Sequence, residues 1–195
     1  MPQKNIDDFL KVDFDRVKTT LKSLLSDYRY EHTLRVAKES VLLASHYNIN
    51  SDYAFLAGLI HDAAKELDIS QLDLNFTDFH LSLYQSFPAI AHAFVLDVVV
   101  PAYFLDVPTI ITEAAVWHTT GKADMSDLEK IVFIADFIEP NRTIENRQFI
   151  YDLAYQSLDK AVFEIAFFKL NFLLKSRKSI YSKLVDCYNF YNNKV

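Results

Sequence analysis

The chain has 195 residues, 51% of them hydrophobic, and a formal charge of -6 at pH 7. That length suits one domain with a sizeable core and that apolar share excludes disorder, while an acidic balance without a long basic block sets nucleic acid aside as a main partner. A single cysteine, Cys187, excludes a disulfide framework or a thiolate zinc site within one chain and fits a reducing cytoplasm; no apolar run reaches the length of a membrane span, and Met1-Pro2-Gln3-Lys4-Asn5 lacks the apolar segment of a secretory signal.

Only two glycines occur, Gly58 and Gly121, so no Gly-rich phosphate loop of the Walker or Rossmann kind exists. Glycine scarcity with long helix-period patterns predicts an all-α protein, a helical bundle in a single domain. Residues 1–27 are expected to be a helical segment packed on a domain spanning 28–195. Asp13 or Asp15 opens a first helix with Val17, Leu21, Leu24 and Leu25 on one face. Tyr28 to Tyr47 reads as a second helix, with His32 on its inward stripe. Ser51 is a good N-cap for a third. The stretch from Tyr53 to Lys65 is apolar nearly all round, as a buried central helix would be. Asp68 to Phe79 is polar and irregular, with a short helix after it. Pro88 can start a helix that holds His92 and runs toward Pro101. Pro108 suits the first turn of another, ending near His118. Gly121 then breaks the chain. Ser126-Asp127-Leu128-Glu129 is a capping box opening an apolar helix that carries Asp136 and stops before Pro140. Asn146 to about Lys175, broken near Ser157, and Ile180 to about Asn192 complete the helices.

The chemistry lies in polar groups set into apolar runs. In order they are His32, His61, Asp62, His92, His118 and Asp136. Burying one such group is unfavourable unless it is paired or bound. A divalent cation would repay the desolvation of several together, so convergence points to a metal site. Each candidate lies on a different helix or at its end, except the adjacent pair His61-Asp62, as in a metal cluster in a bundle core. Neighbouring helix residues diverge by about 100°. The pair therefore suits one ligand each for two close metals, or a carboxylate that bridges them. Nitrogen and oxygen ligands without thiolate suit iron, manganese, zinc or nickel.

The order His … His-Asp … His … His … Asp resembles the HD superfamily of metal-dependent phosphohydrolases. Longer strings resemble its YqeK family: Arg29-Tyr30-Glu31-His32, Ala57-Gly58-Leu59-Ile60-His61-Asp62-Ala63-Ala64-Lys65, His118-Thr119-Thr120-Gly121, Met125-Ser126-Asp127-Leu128-Glu129-Lys130 and Ala135-Asp136-Phe137-Ile138-Glu139-Pro140-Asn141-Arg142. The resemblance implies a symmetrical bis(5'-nucleosyl)-tetraphosphatase, which splits diadenosine tetraphosphate into two ADP. It implies two divalent transition-metal ions, iron foremost, with manganese, zinc, cobalt or nickel as the alternatives. Carried over by position, His32, His61, Asp62, His92, His118 and Asp136 are the ligands, with Asp62 bridging and a metal-bound water or hydroxide attacking phosphorus. Lys65 and Arg142 are expected to hold phosphate and, with Asp62, to carry catalysis. Thr119 and Gly121 are expected to shape the substrate loop, and Lys122 is a weaker phosphate candidate. The implied partner is a dinucleoside polyphosphate, with neither nucleic acid nor membrane. Two other readings stay open: another HD phosphohydrolase acting on nucleoside phosphates or cyclic nucleotides, and a catalytically weak metal- or nucleotide-binding module.

One stretch departs from the family pattern, which has small residues and a glycine around the third histidine. Here it reads His92-Ala93-Phe94-Val95-Leu96-Asp97-Val98. Bulk there would narrow the substrate cleft, and Asp97 would repel phosphate if it faced inward. Outside the motif, His46 and His80 read as satisfied core residues, and Cys187 as an inert buried thiol. The segment Phe163 to Leu170 reads as packing. If exposed, it would be the surface of a homodimer or of another partner.

Overall fold

The computed structural model describes residues 12–195; the opening Met1–Asn5, expected to carry no secretory signal, lies outside that span. Among the described residues there are eleven helices and no strand. They are α1 (Phe14–Leu24), α2 (Asp27–His46), α3 (Ser51–Ile60), α4 (Asp78–Ser86), α5 (Pro88–Phe94), α6 (Leu96–Tyr103), α7 (Thr109–Val116), α8 (Asp127–Ile138), α9 (Arg147–Ala154), α10 (Leu158–Lys175) and α11 (Ser182–Asn192). None of them is long and apolar enough to cross a membrane.

Helix α8 is the axle of the fold. Its capping box forms as expected: the Ser126 hydroxyl accepts from the Glu129 N–H, and the Glu129 carboxylate accepts from the Ser126 N–H. From Leu128 to Asp136 every residue is buried. Helices α2, α3, α7, α9 and α10 all pack against it, so Asp136 is delivered to the interior of the bundle. The α2–α3 contact is the tightest, because small residues face each other. A Cβ on Gly58 would stand 2.7 Å from the Cα of Ala37.

Several boundaries differ from the sequence reading for identifiable reasons. Asn50, not Ser51, caps α3; its side-chain oxygen accepts from the N–H groups of Asp52 and Tyr53. Helix α3 stops at Ile60, five residues before Lys65. Beyond it the chain tightens into turns, with Ala63 N–H bonded to the Ile60 carbonyl and Lys65 N–H to that of Asp62. His61 and Asp62 therefore leave the helix end and do not ride on its side. The helix begun at Pro88 breaks at Val95 into α5 and α6, and Pro101 sits inside α6. His46 is exposed and bonds to the Tyr155 carbonyl. His80 is buried and satisfied, between the Thr77 N–H and Asp97. Cys187 is fully buried and free. On α10, Ile165 is buried, Phe163, Phe168 and Leu170 are half-buried, and Phe167 is exposed and stacks on Tyr188.

Gly58→Ala forces the α2 backbone outward, because the new methyl meets the Ala37 main chain as well as the Ser40 hydroxyl. The expected loss is about 1–3 kcal/mol, read as a lower denaturant midpoint at unchanged helical circular dichroism.

Candidate metal centre

Five helices contribute to one point. His32 comes from the second turn of α2, His61 and Asp62 from the end of α3, His92 from α5, His118 from the turn after α7, and Asp136 from the last turn of α8. None is more than 9% exposed. Possible ligand atoms of His32, His61 and Asp62 all lie within 4.8 Å of one another, and so do those of Asp62, His92 and His118. Asp62 is shared by the two groups, and its two oxygens divide the work. Oδ2 faces Nε2 of His32 at 3.7 Å and of His61 at 3.5 Å. Oδ1 faces Nε2 of His92 at 3.1 Å and of His118 at 3.4 Å. Asp136 Oδ1 closes the first group, 3.2 Å from His32 Nε2 and 3.9 Å from His61 Nε2.

Backbone carbonyls aim the rings. His61 Nδ1 lies 2.7 Å from the Gly58 carbonyl, and His118 Nδ1 lies 2.7 Å from that of Ala115. A ring N–H donated there leaves the Nε2 lone pair pointing into the shared space. Glu139 does the same for His32, whose Nδ1 is 3.3 Å from its carboxylate, and Arg35 Nε holds that carboxylate at 2.7 Å. Nε2 of His32 and of His61 is buried with no hydrogen-bond partner, and Nε2 of His92 and of His118 face each other at 3.2 Å. Nitrogens aimed at a common space without protein donors are what a cation would satisfy. The residues present fit divalent metal.

The electrostatics agree. Burial presses His118 down to about 4, against the pull of Asp62, so its ring is neutral at pH 7. Burial also lowers His92. Burial alone would raise Asp62, but His61, His118 and His92 outweigh it and hold the carboxyl well below its usual range. Asp136 is held low in the same way, burial being overcome by His32 and Arg142. His61 goes up, because Asp62 and Asp136 prevail over burial.

The other expected site residues are placed unequally. Thr119 and Arg142 line a cavity of about 960 Å³ that opens beside Asp136. The Arg142 guanidinium is paired with the Asp136 carboxylate and donates to its carbonyl. Lys65 does not line the cavity; its ammonium donates to the Ala89 carbonyl at 3.4 Å and lies 3.3 Å from His92 Nδ1. Gly121 does not line it either. It takes φ +61 and turns toward Cys187, whose sulfur would be 2.6 Å from a Cβ there, so its contribution is the turn after His118. Lys122 pairs with Glu129 at 3.0 Å. The stretch that departs from the family pattern stands away from the cavity lining. Phe94 packs edge-on against Trp117 and Tyr181, and Asp97 is an exposed partner of His80; neither lines the cavity.

Three residues escaped the sequence reading. Arg29 donates to Asp62 Oδ2 at 2.8 Å, and Glu139 orients His32. Both stand three positions from a ligand candidate, the spacing that shares a helix face. The third, Lys169, is a lone cation in the apolar run Phe167-Phe168-Lys169-Leu170, the same signal that marked the histidines. Burial pushes its ammonium down to about 8.

An all-helical frame closed around a buried histidine–aspartate cluster defines a metal-holding helical domain. The HD domain model matches residues 29–141. The chain is 34% identical to a symmetrical bis(5'-nucleosyl)-tetraphosphatase of Staphylococcus aureus, over 93% of this chain and 95% of that one. A protein of the same name from Halalkalibacterium halodurans is 32% identical, over 87% and 91%. The crystal structure of a predicted HD superfamily hydrolase of Clostridium acetobutylicum, described as involved in NAD metabolism, superposes with a TM-score of 0.80 at 25% identity, covering 94% of this chain and 98% of that one. The chain belongs to the HD-domain family, in the YqeK branch that its motif strings resemble.

Removing metal exposes the linkage of His118 to folding. Its folded pKa of about 4 lies below the 6.5 of an ordinary imidazole, so between those values the unfolded chain binds a proton that the folded chain refuses. Stability therefore falls as pH falls through that window. In chelator-treated His118→Asn the decline from pH 6.5 to 4 is shallower than in the parent by up to about 1.4 kcal/mol per pH unit. Denaturant unfolding at pH 5 and pH 7 measures it; equal slopes would exclude the linkage.

Proposed function

We propose that this protein hydrolyses diadenosine tetraphosphate symmetrically into two ADP. The observation that carries the reading is the geometry of Asp62, one carboxylate whose two oxygens each address a separate pair of imidazoles, in a cluster whose Asp136 lines a cavity large enough for a nucleotide. The names of its relatives from Staphylococcus aureus and Halalkalibacterium halodurans support the substrate class.

In this reading His32, His61, Asp62, His92, His118 and Asp136 hold two divalent transition-metal ions, with iron the first choice. Bound metal supplies Lewis acidity, which lowers the pKa of water and neutralises charge on phosphate. The chain supplies the rest. Asp62 joins the two groups of imidazoles, and Arg29 holds its Oδ2 in place. Glu139 and Arg35 fix the His32 ring. Arg142, anchored on Asp136, keeps guanidinium N–H groups on the cavity side for a non-bridging phosphate oxygen. Lys65 acts beside His92, where its charge lowers the negative potential of the cluster. Thr119 offers a buried hydroxyl that has no hydrogen-bond partner. Apolar walls from Phe87, Ile90, Phe137 and Phe168 exclude water from the phosphate chain and face the nucleoside. The reduced, buried thiol of Cys187 accords with a cytoplasmic location.

Purified protein supplied with manganese or iron and diadenosine tetraphosphate is expected to yield two ADP per substrate, resolved by ion-exchange chromatography. AMP with ATP would replace the symmetrical reaction by an asymmetrical one, and retention of intact ligand would make the protein a binding module. Asp62→Ala should lose bound metal and at least about 1,000-fold in rate, on the scale of several kcal/mol of transition-state stabilisation, while helical circular dichroism persists. Full activity in that variant would overturn the bridging role.

A further inference from the structure

Lys169 is used by none of the steps above, yet it stands inside the cavity. It enters from the middle of α10 and is half-buried among lining residues that include Thr119, Asp136 and Arg142. Its Nζ donates to the Thr119 carbonyl at 2.8 Å and to the His118 carbonyl at 3.3 Å, and it rests 4.2 Å above the Phe133 ring. Two carbonyls and a ring face solvate an ammonium only in part. The group carries three N–H donors, and it forms no ion pair among the described residues. A cation taken out of water without a counter-ion is unfavourable, and the cavity is the open side from which an anion can reach it.

A second donor waits at the same place. Thr119 lines the cavity, and its hydroxyl is buried with no hydrogen-bond partner. The same residue's carbonyl is what Lys169 holds, so the two donors are tied to one stretch of chain. Arg177 and Lys178 continue the positive lining outward, and the carboxylates facing them in the cavity are Asp136, already paired with Arg142, and Glu145. In a chain of net charge -6 this is a local reversal of sign.

We propose that Lys169, together with the Thr119 hydroxyl, forms a phosphate-binding subsite inside the cavity, next to the metal centre, for a phosphoryl group of the bound nucleotide. Lys169 is thereby a substrate contact that the motif residues do not include, and it sets the preference for ligands carrying more than one phosphate. The inference rests on the nucleotide-hydrolase reading and adds a specific contact to it.

Binding of ADP, AMP and adenosine to the metal-loaded, full-length protein tests it by titration calorimetry, where no turnover occurs. Lys169→Met is expected to weaken ADP about tenfold, AMP less, and adenosine not at all, with metal content and melting temperature unchanged. Lys169→Arg is expected to restore ADP affinity. Unchanged ADP affinity in Lys169→Met overturns the subsite. Equal weakening of ADP and adenosine, or loss of metal, overturns it too, because Lys169 would then serve only to pin the His118–Thr119 main chain. The underlying reading fails by a different result, wild-type protein that leaves diadenosine tetraphosphate intact or cuts it to AMP and ATP. The ADP titrations are read independently of that outcome.

Discussion

The fold is organised around one buried anion. Asp62 is 3% exposed, and a carboxylate so removed from water would be raised and protonated unless its surroundings compensate it. Arg29 gives one charged contact. Four imidazoles surround the remainder, and of these His92 and His118 are pressed toward neutrality by burial. Neutral rings do not balance a carboxylate, and Asp136 adds a second negative charge to the same space. The cluster is thus arranged for positive charge, and each of the helices that deliver it is held in position by what it must bring. Moving α2, α5 or α7 by one turn would take an imidazole out of the cluster and leave its ring buried without a partner.

Two of those imidazoles are positioned by the same device. His61 and His118 both stand just beyond a helix C-terminus, and both direct Nδ1 at the carbonyl three residues back, each at 2.7 Å. The last carbonyls of a helix have no intrahelical donor. Here the side chain of the ligand candidate provides one, at Ala115 alongside the main-chain N–H groups of Trp117 and His118. A single hydrogen bond caps the helix, selects the tautomer and aims Nε2, which explains why both chain segments leave helical geometry where they do. Gly58 is part of this arrangement twice, by letting α3 lie against α2 and by offering its carbonyl to His61.

Sequence periodicity and caps disclosed most of the helical frame, because capping boxes and Pro–Gly punctuation act locally. Ser126, Gly121 and Ser157 mark the α8, α7 and α10 boundaries in the chain itself. What escaped were departures with tertiary causes. The early end of α3 depends on where the His61 ring finds its acceptor, and the break at Val95 on two faces packing in different directions. The six polar residues could be chosen from sequence, since burial of so many without compensation is implausible. Their division into two groups sharing one carboxylate is a matter of distances between helices, which no pattern along the chain encodes. Asp97 shows the converse: an acid that looked threatening to phosphate is exposed, pairs with the buried His80 and does not line the cavity.

Charge distribution then decides what kind of polyanion suits the site. The cavity presents Arg142, Lys169, Arg177 and Lys178 along walls that are otherwise largely apolar. Field lines from cations set in low-dielectric walls are focused inward. A ligand gains from that field only by entering, which suits the small dinucleoside polyphosphate of the proposed function. Arg142 links this gradient to the metal centre, because one guanidinium lines the cavity and also grips Asp136. An anion that draws Arg142 toward itself loosens its hold on that carboxylate, whose oxygen lies 3.2 Å from His32. Ligand charge and cluster charge are therefore coupled through a single side chain.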